Sequence, residues 1–547
     1  MTDAVVVGAG PNGLVAANLL ADAGWAVLVL EAASVPGGAV KSAEVAAPGY
    51  VTDLFSAFYP LGVASPVLRA LSLEQHGLRW CHAPEVLAHP LVDGPTALLS
   101  RDLDTTAASV EALGEGDGDA WRAMTAEWDR ISGSLLDALF TPFPPVRAGA
   151  RLLRQLGAAD ALRFARLATL PVRRHGAEEF TGQGGPLLLA GNALHTDLSP
   201  SATGSAVFGW LLAMLGQSVG FPVPQGGAGQ LTEALVRRLR AQGGRLECDA
   251  RVTQVVVRDR RAVAVQVADG RTVDVRRAVL ADVTAPQLYL DLVGRDHLPP
   301  RLLDDLRRFR WDDATVKVDW ALSGPIPWRS PEAASAGTVH LGGSMDEMAG
   351  YTHALDVGQV PERPFLIVGQ MTTADPTRSP AGTESAWGYT HVPRLPKGDA
   401  AGQLRGDWGA DDRSRFVDRV ERELERYAPG FRDLVVGRHV QFPDDLTAAN
   451  PNLVGGAVNG GTAAISQQLV FRPTPGLGRA ETPIAGLYLA SSSAHPGGGV
   501  HGACGANAAR AALRARTTGR LALAGTRLLT GGAPSTPAGA ASRRSAP

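Results

Sequence analysis

Residues 4–31 read AVVVGAGPNGLVAANLLADAGWAVLVLE, and this stretch decides the fold. Ala4 to Val7 is a short uninterrupted apolar run, the pattern of a strand buried on both faces of a parallel sheet. Gly8, Gly10 and Gly13 follow in G-x-G-x-x-G spacing, with Pro11 and Asn12 between the last two. Leu14, Ala17, Leu20 and Ala21 then recur at helical spacing until Gly24 stops the pattern. A second apolar strand, Ala26 to Leu30, ends in Glu31. Each part has a task in holding a dinucleotide: Gly8 permits a tight turn, Gly10 lets a pyrophosphate approach the backbone, and Gly13 lets the helix lie close on the strand. The helix N-terminus offers unpaired N–H groups and partial positive charge to the phosphates. Glu31 stands where a carboxylate accepts hydrogen bonds from both ribose hydroxyls, and it would repel a 2′-phosphate, which argues against NADP. The stretch predicts an α/β protein with a Rossmann-type nucleotide-binding domain.

Working outward, the 547 residues suffice for two or three domains. At 45% hydrophobic, 19% charged and net charge −2, the composition is that of a globular protein with no nucleic-acid partner. Cys81, Cys248 and Cys504 form no C-x-x-C, so neither a redox dithiol nor a cysteine zinc site is expected, and no His, Asp and Glu spacing signals a metal. The nucleotide motif begins at residue 4, leaving no room for a signal peptide before it, and the expected location is cytoplasmic. The most apolar window, Ala206 to Phe221, holds three glycines and is stopped by Pro222, short of the roughly twenty apolar residues of a membrane span. It reads as a core or cavity-lining helix. A helix from Arg147 to Leu170 places Arg147, Arg151 and Arg154 on one face. Such a face can rest peripherally on an anionic membrane or simply stand in solvent, and the solvated reading is the simpler one.

After Glu31 and Ala32, the pair Gly37-Gly38 followed by Ala39 turns the chain back where a bound cofactor would lie, like the flavin-enzyme extension of the motif. Phe55, Phe58 and Tyr59 could line an apolar cavity or serve as packing. A strand is expected near Leu78 to His82, and GNALHTDLSP sets His195 and Asp197 in a turn. PVPQGGAGQL, residues 222–231, opens a helix, and strands at 245–248, 252–258, 263–267 and 273–279 follow, with a type I′ turn signalled at Asp269-Gly270. The glycine-rich segment from Pro451 to Pro473 reads equally as a loop near the cofactor or a surface connection. Near the end, LYLASSSAHPGGGVHGACG turns from a strand through Gly497, Gly498 and Gly499 into a helix whose N-terminus can face the edge of a reduced flavin that gains negative charge. The expected architecture is a discontinuous nucleotide domain (1–75, 222–295 and 478–525) with an inserted mixed α+β substrate or cap domain (76–221 and 296–477). A disordered tail is expected at 530–547.

GAGPNGL with Glu31 and Gly37-Gly38, PVPQGGAGQL, and LYLASSSAHPGGGVHGACG together resemble the phytoene desaturase-related FAD oxidoreductases. Within that group the likeness is to the carotenoid ketolase-like and pyridine nucleotide-disulphide oxidoreductase domain-containing protein 2-like branches, over nearly all of residues 1–520. The resemblance implies FAD, with Gly8, Gly10, Gly13 and Glu31 at its ADP half, Val252 at the adenine through its backbone, and Gly498, Gly499 and Val500 beside the flavin ring. It also marks two departures: Ser491 stands where glycine is usual, and Ala39 where the wider superfamily often has the arginine associated with amine oxidation.

Only one complete dinucleotide fingerprint is present, so FAD is expected to be the sole tightly held nucleotide, its electrons leaving to oxygen, a quinone or another acceptor. The primary expectation is a dehydrogenase or desaturase that passes hydride from a lipophilic, isoprenoid-like small molecule to flavin N5. The alternatives are a flavin amine oxidase producing peroxide and a non-catalytic flavoprotein acting through partners. His495 and His501 flank the last glycine turn and are the candidates for proton transfer, against the plainer role of hydrogen-bonded structural histidines. Cys504 could anchor a flavin covalently, or be a small buried residue in a tight helix. Ser491, Ser492 and Ser493 lack a paired base and any G-x-S-x-G elbow, which disfavours a hydrolase.

Overall fold

Thr2–Val7 forms a strand with all six residues buried, inside a seven-stranded sheet, in a computed structural model that describes residues 2–515. The tail expected to be disordered, 530–547, lies outside the described residues. On one side this strand pairs in parallel with Val27–Leu30 and beyond it Arg245–Glu247; on the other it pairs in parallel with the carboxyl half of Thr272–Ala281 and beyond it Leu487–Leu489. Chain order reverses between Thr2–Val7 and Thr272–Ala281, and in an open α/β sheet that switch point opens the crevice where ligands bind. The antiparallel hairpin Val252–Arg258 and Arg261–Val267 extends the amino half of Thr272–Ala281. Its tight turn is Asp259-Arg260, both at positive φ, as a type I′ turn requires. At the expected position, Asp269-Gly270, only Gly270 has positive φ, so the chain turns there without type I′ geometry.

The helix Pro11–Asp22 starts with proline in its first turn, where a missing N–H costs nothing. Against it lies the alanine-rich helix Ala503–Arg514, and the two touch so closely that a Cβ on Gly505 would collide with the Asn12 carbonyl. Small residues at this crossing bring the first and last thirds of the chain together at the mouth of the sheet.

A second seven-stranded sheet runs in the order Val435–Gln441, Ala314–Leu322, Glu384–Val392, Leu366–Gln370, Ala336–Leu341, Glu85–Pro90 and Thr96–Leu99. Its members come from both 85–99 and 314–441. Phe416, Val420 and Leu424 of the helix Ala410–Tyr427 pack into one hydrophobic cluster with its strands. Helices Asp117–Phe140, Gly184–Ala193 and Ser205–Val219 join the cluster that continues to the nucleotide sheet. The strand expected near Leu78 to His82 shrinks to Trp80–Cys81, paired with Val223–Pro224.

The basic helix is not continuous: Val146–Leu167 breaks at Gly157, whose φ is +72°. Its cations are also partly neutralised, Arg151 by Asp137 at 3.0 Å, Arg163 by Asp160 at 3.2 Å and Arg166 by Glu178 at 2.7 Å. Among the described residues no helix is long and apolar enough to cross a membrane.

Candidate active site

The crevice at the carboxyl ends of the central strands gathers the first glycine cluster. Gly37 N–H donates to the Ala9 carbonyl at 2.9 Å, and a Cβ on Gly38 would lie 3.0 Å from Gly10 Cα. Thus Gly37-Gly38-Ala39 folds over the Gly8–Gly13 turn. Glu31 reaches back over the same turn: its Oε2 accepts Ala9 N–H at 2.7 Å and its Oε1 accepts Ala33 N–H at 2.9 Å, across Ala32. The carboxylate is thereby oriented while lone pairs remain for hydroxyl donors. The segment leading to Val252 runs beside it, Ala250 N–H donating to the Glu31 carbonyl at 2.8 Å. A dinucleotide fits these residues: bare backbone where a Cβ would intrude, a helix N-terminus, and an acid at the end of the neighbouring strand.

Asp282 is the residue the motif reading missed. It directly follows the strand Thr272–Ala281, and its Oδ2 accepts Gly13 N–H at 2.8 Å. A Cβ on Gly10 would lie 2.6 Å from the same oxygen. Burial pushes its pKa up to about 7, with Glu31 adding repulsion and the Gly13 N–H opposing both. The signal in the sequence was its position, one residue past a strand bordering the switch point.

The segment 451–473 lies against the crevice while Val458, Ile465, Leu469 and Phe471 remain exposed. Asn452 Nδ2 donates to the Asp282 carbonyl at 3.0 Å, and Ser493 Oγ donates to the Gly460 carbonyl at 2.9 Å. Arg472, 1% exposed, donates to the carbonyls of Asn459 at 2.8 Å, Thr462 at 3.0 Å and Ser492 at 2.9 Å. It stands against Gly497, whose Cβ would lie 3.1 Å from its Cζ. A buried guanidinium satisfied by carbonyls thus clamps this loop onto the turn 491–499. Ser491 is buried, with its Oγ accepting Ser493 N–H at 3.3 Å.

Beyond Gly498, Gly499 and Val500 opens an apolar cavity of about 420 Å³. Its walls include Phe58 and Tyr59, the helix Ser205–Val219 through Phe208 and Leu211, and Leu139 of the helix Asp117–Phe140. Phe55 is not among the lining residues, and neither is any Asp, Glu, Lys or Arg. Asn192, His195 and Gln468 supply polar groups in its wall.

The two histidine candidates occupy different settings. His501 lines the cavity, but its Nδ1 accepts Ala503 N–H at 3.0 Å at the start of the last helix. His495 stands outside the lining, and its Nε2 donates to the Thr141 carbonyl at 3.1 Å. Burial pulls both imidazoles down to about 4. Each ring is thus engaged through one nitrogen, His501 at the start of the last helix and His495 at the Thr141 carbonyl. Cys504 is a buried free thiol between the carbonyls of Ala494 and Gly497, pushed up to about 12 by burial. Among the described residues no group of three His, Cys, Asp or Glu could hold a metal ion.

Comparison with known proteins gives this geometry a setting. The pattern of the family described as flavin containing amine oxidoreductase matches residues 12–308. Pyridine nucleotide-disulfide oxidoreductase domain-containing protein 2 of Rattus norvegicus is 28% identical, over 94% of this chain and 93% of its own. The lycopene-forming phytoene desaturase of Pantoea ananas is 25% identical over 94% of this chain and 99% of its own. Among solved structures, an oxidoreductase from Methanosarcina mazei superposes with a TM-score of 0.60 at 16% identity, over 94% of this chain and 100% of that one.

Proposed function

The chain belongs to the family of flavin containing amine oxidoreductases, and from that premise we propose that this FAD-dependent oxidoreductase is a dehydrogenase or desaturase of a lipophilic, isoprenoid-like small molecule. The observation that carries the reading is the cavity beside Gly498–Val500: about 420 Å³, lined mostly by aliphatic and aromatic side chains and by no Asp, Glu, Lys or Arg. FAD bound there would supply the two-electron acceptor for a hydride. In this reading Gly8, Gly10, Pro11, Asn12 and Gly13 hold its pyrophosphate, Glu31 and Ala32 its ribose, and the backbone at Val252 its adenine. Gly37, Gly38 and Ala39 would lie over the phosphates, Ser491 would stand beside the pyrophosphate, and Gly498, Gly499 and Val500 would flank the ring. The proposed cofactor domain is 1–75, 222–295 and 478–525, described as far as residue 515, and the proposed substrate domain is 76–221 with 296–477. The apolar wall orients a C–H bond and excludes water from the reacting centre. No side chain of the lining carries an opposite charge for an ammonium, which favours a desaturase over an amine oxidase.

The test is an anaerobic screen of the yellow protein for flavin bleaching across isoprenoids, other lipids and amines, with oxygen and quinones then offered as acceptors. Bleaching by isoprenoids is expected. Bleaching by amines alone, with peroxide on reoxidation, establishes the oxidase instead. Flavin that no compound reduces favours a non-catalytic protein.

Two further results are expected. Glu31→Ala should weaken FAD retention by at least about tenfold, the size of one lost charge-assisted hydrogen bond or more. Flavin content measured after gel filtration checks this, and unaltered content removes Glu31 from the site. A peripheral membrane contact would use the cavity rim, where Ile465 and Leu469 are 43% and 42% exposed, together with exposed Leu162, rather than the partly paired arginines. Co-sedimentation with anionic vesicles should therefore fall in an Ile465→Ser, Leu469→Ser double variant and change little when salt is raised about tenfold, since apolar burial is not screened.

A further inference from the structure

His195 follows the helix Gly184–Ala193 and is half-buried in the cavity wall. Its Nε2 lies 2.9 Å from Nε2 of His340, a wholly buried residue of the strand Ala336–Leu341. Two imidazole nitrogens at that distance share one proton, so one donates and the other accepts. His340 decides which. Its Nδ1 has no hydrogen-bond partner and packs against Gly191, where a Cβ would collide with it. A buried N–H left unpaired is rarer than a lone pair left unpaired. The proton of His340 therefore sits on Nε2 and is donated to His195 Nε2. His195 must then carry its own proton on Nδ1, the nitrogen with no hydrogen-bond partner among the described residues.

On the footing that this cavity is the substrate site, we propose that His195 is its recognition donor: the His340–His195 pair presents a neutral, fixed N–H to an oxygen acceptor on an otherwise apolar ligand. The ligand class is a lipophilic carbonyl, ether or alcohol, bound in preference to the parent hydrocarbon and to an ammonium. The ionisable groups around the pair are His89, His391 and, beyond His391, Asp197. Burial pulls His195 down to about 3 and His340 well below the usual histidine range, so the donor does not become a cation at neutral pH.

The experiment uses the oxidised holoprotein and three probes on one carbon skeleton: β-ionone, its carbonyl-free hydrocarbon and its primary amine. Binding is read from the perturbation of the flavin visible spectrum, so no turnover is needed. The ketone is expected to bind about tenfold tighter than the hydrocarbon, the worth of one neutral hydrogen bond, and tighter than the amine. His195→Leu should bring ketone and hydrocarbon within about twofold with FAD still bound. His340→Phe should do the same by releasing the tautomer while leaving the cavity wall in place. Nitrogen-15 NMR of labelled histidine should show His195 protonated at Nδ1 from mildly acidic to mildly basic pH. A wild-type protein without ketone preference overturns the inference, and so does a preference that survives His195→Leu. If His340→Phe does not fold, the His195→Leu result alone decides. Flavin uptake without ketone preference defeats this inference and leaves the proposed function standing; a protein that takes up no flavin defeats both.

Discussion

Alanine at position 13 is expected to give a folded but colourless protein. The Cβ would collide with the Gly8 carbonyl and stand 3.1 Å from Asp282 Cβ, so the helix Pro11–Asp22 must move off the first strand. Backbone on one side and a strand end on the other leave no flexible side chain to yield. Overpacking of this kind costs about 3 kcal/mol, which is about a hundredfold in FAD affinity if the strain appears in the bound geometry. The control is Gly350→Ala, on an exposed position of the helix Met345–Asp356 with nothing near its Cβ. That change should leave FAD content intact and raise stability by about 0.5–1 kcal/mol, the difference in helix propensity. Isothermal titration with FAD and thermal melts of both variants check the pair, and Gly13→Ala that binds FAD normally rejects the packing argument.

Asp282→Asn is expected to change how the protein responds to pH. In the folded chain burial and Glu31 hold the Asp282 carboxyl at about 7, against 3.8 when it is free. Between these values the folded state keeps a proton that the unfolded state releases, so the unfolded state binds fewer protons and stability falls as pH rises. Below the lower value this loss is absent, and above the upper one it is complete. Asparagine does not titrate, and its Oδ1 can still accept Gly13 N–H. The melting temperature of the variant should therefore exceed that of the wild type by more at pH 8 than at pH 5.

The same carboxyl beside the Gly10–Gly13 turn governs anion binding. Once ionised it repels a pyrophosphate held there, so the affinity of the wild type for FAD should fall about tenfold from pH 6 to 8.5, one pKa unit's worth of interaction. In Asp282→Asn the affinity should vary little over that range. Parallel slopes in the two proteins would show that another group controls the response.

What was legible in the sequence is local. The buried strand, the glycine turn, the helix and the acid at Glu31 lie within about thirty residues, and each follows from side-chain periodicity or from the need for bare backbone. The apolar stretch 206–221 likewise showed its character, because a helix with so few polar positions must be covered on most sides. The break at Gly157 and the Asp259-Arg260 turn were less visible. Gly157 sat inside an otherwise helical pattern, and Asp259-Arg260 lacks the glycine that usually marks such a turn.

Only the tertiary structure decided the rest. Asp282 meets Gly13 across 269 residues of chain and His340 meets His195 across 145, and such pairs are set by which strand lies beside which, a property no single segment carries. Arg472 looked like one arginine in a glycine-rich loop until its burial among carbonyls turned that loop into a wall of the site. The sequence by itself determined a buried strand, a bare glycine turn and an acid spaced as a nucleotide site requires. The packing of distant segments determined what surrounds it, because desolvation and hydrogen-bond partnership exist only once the chain has closed on itself.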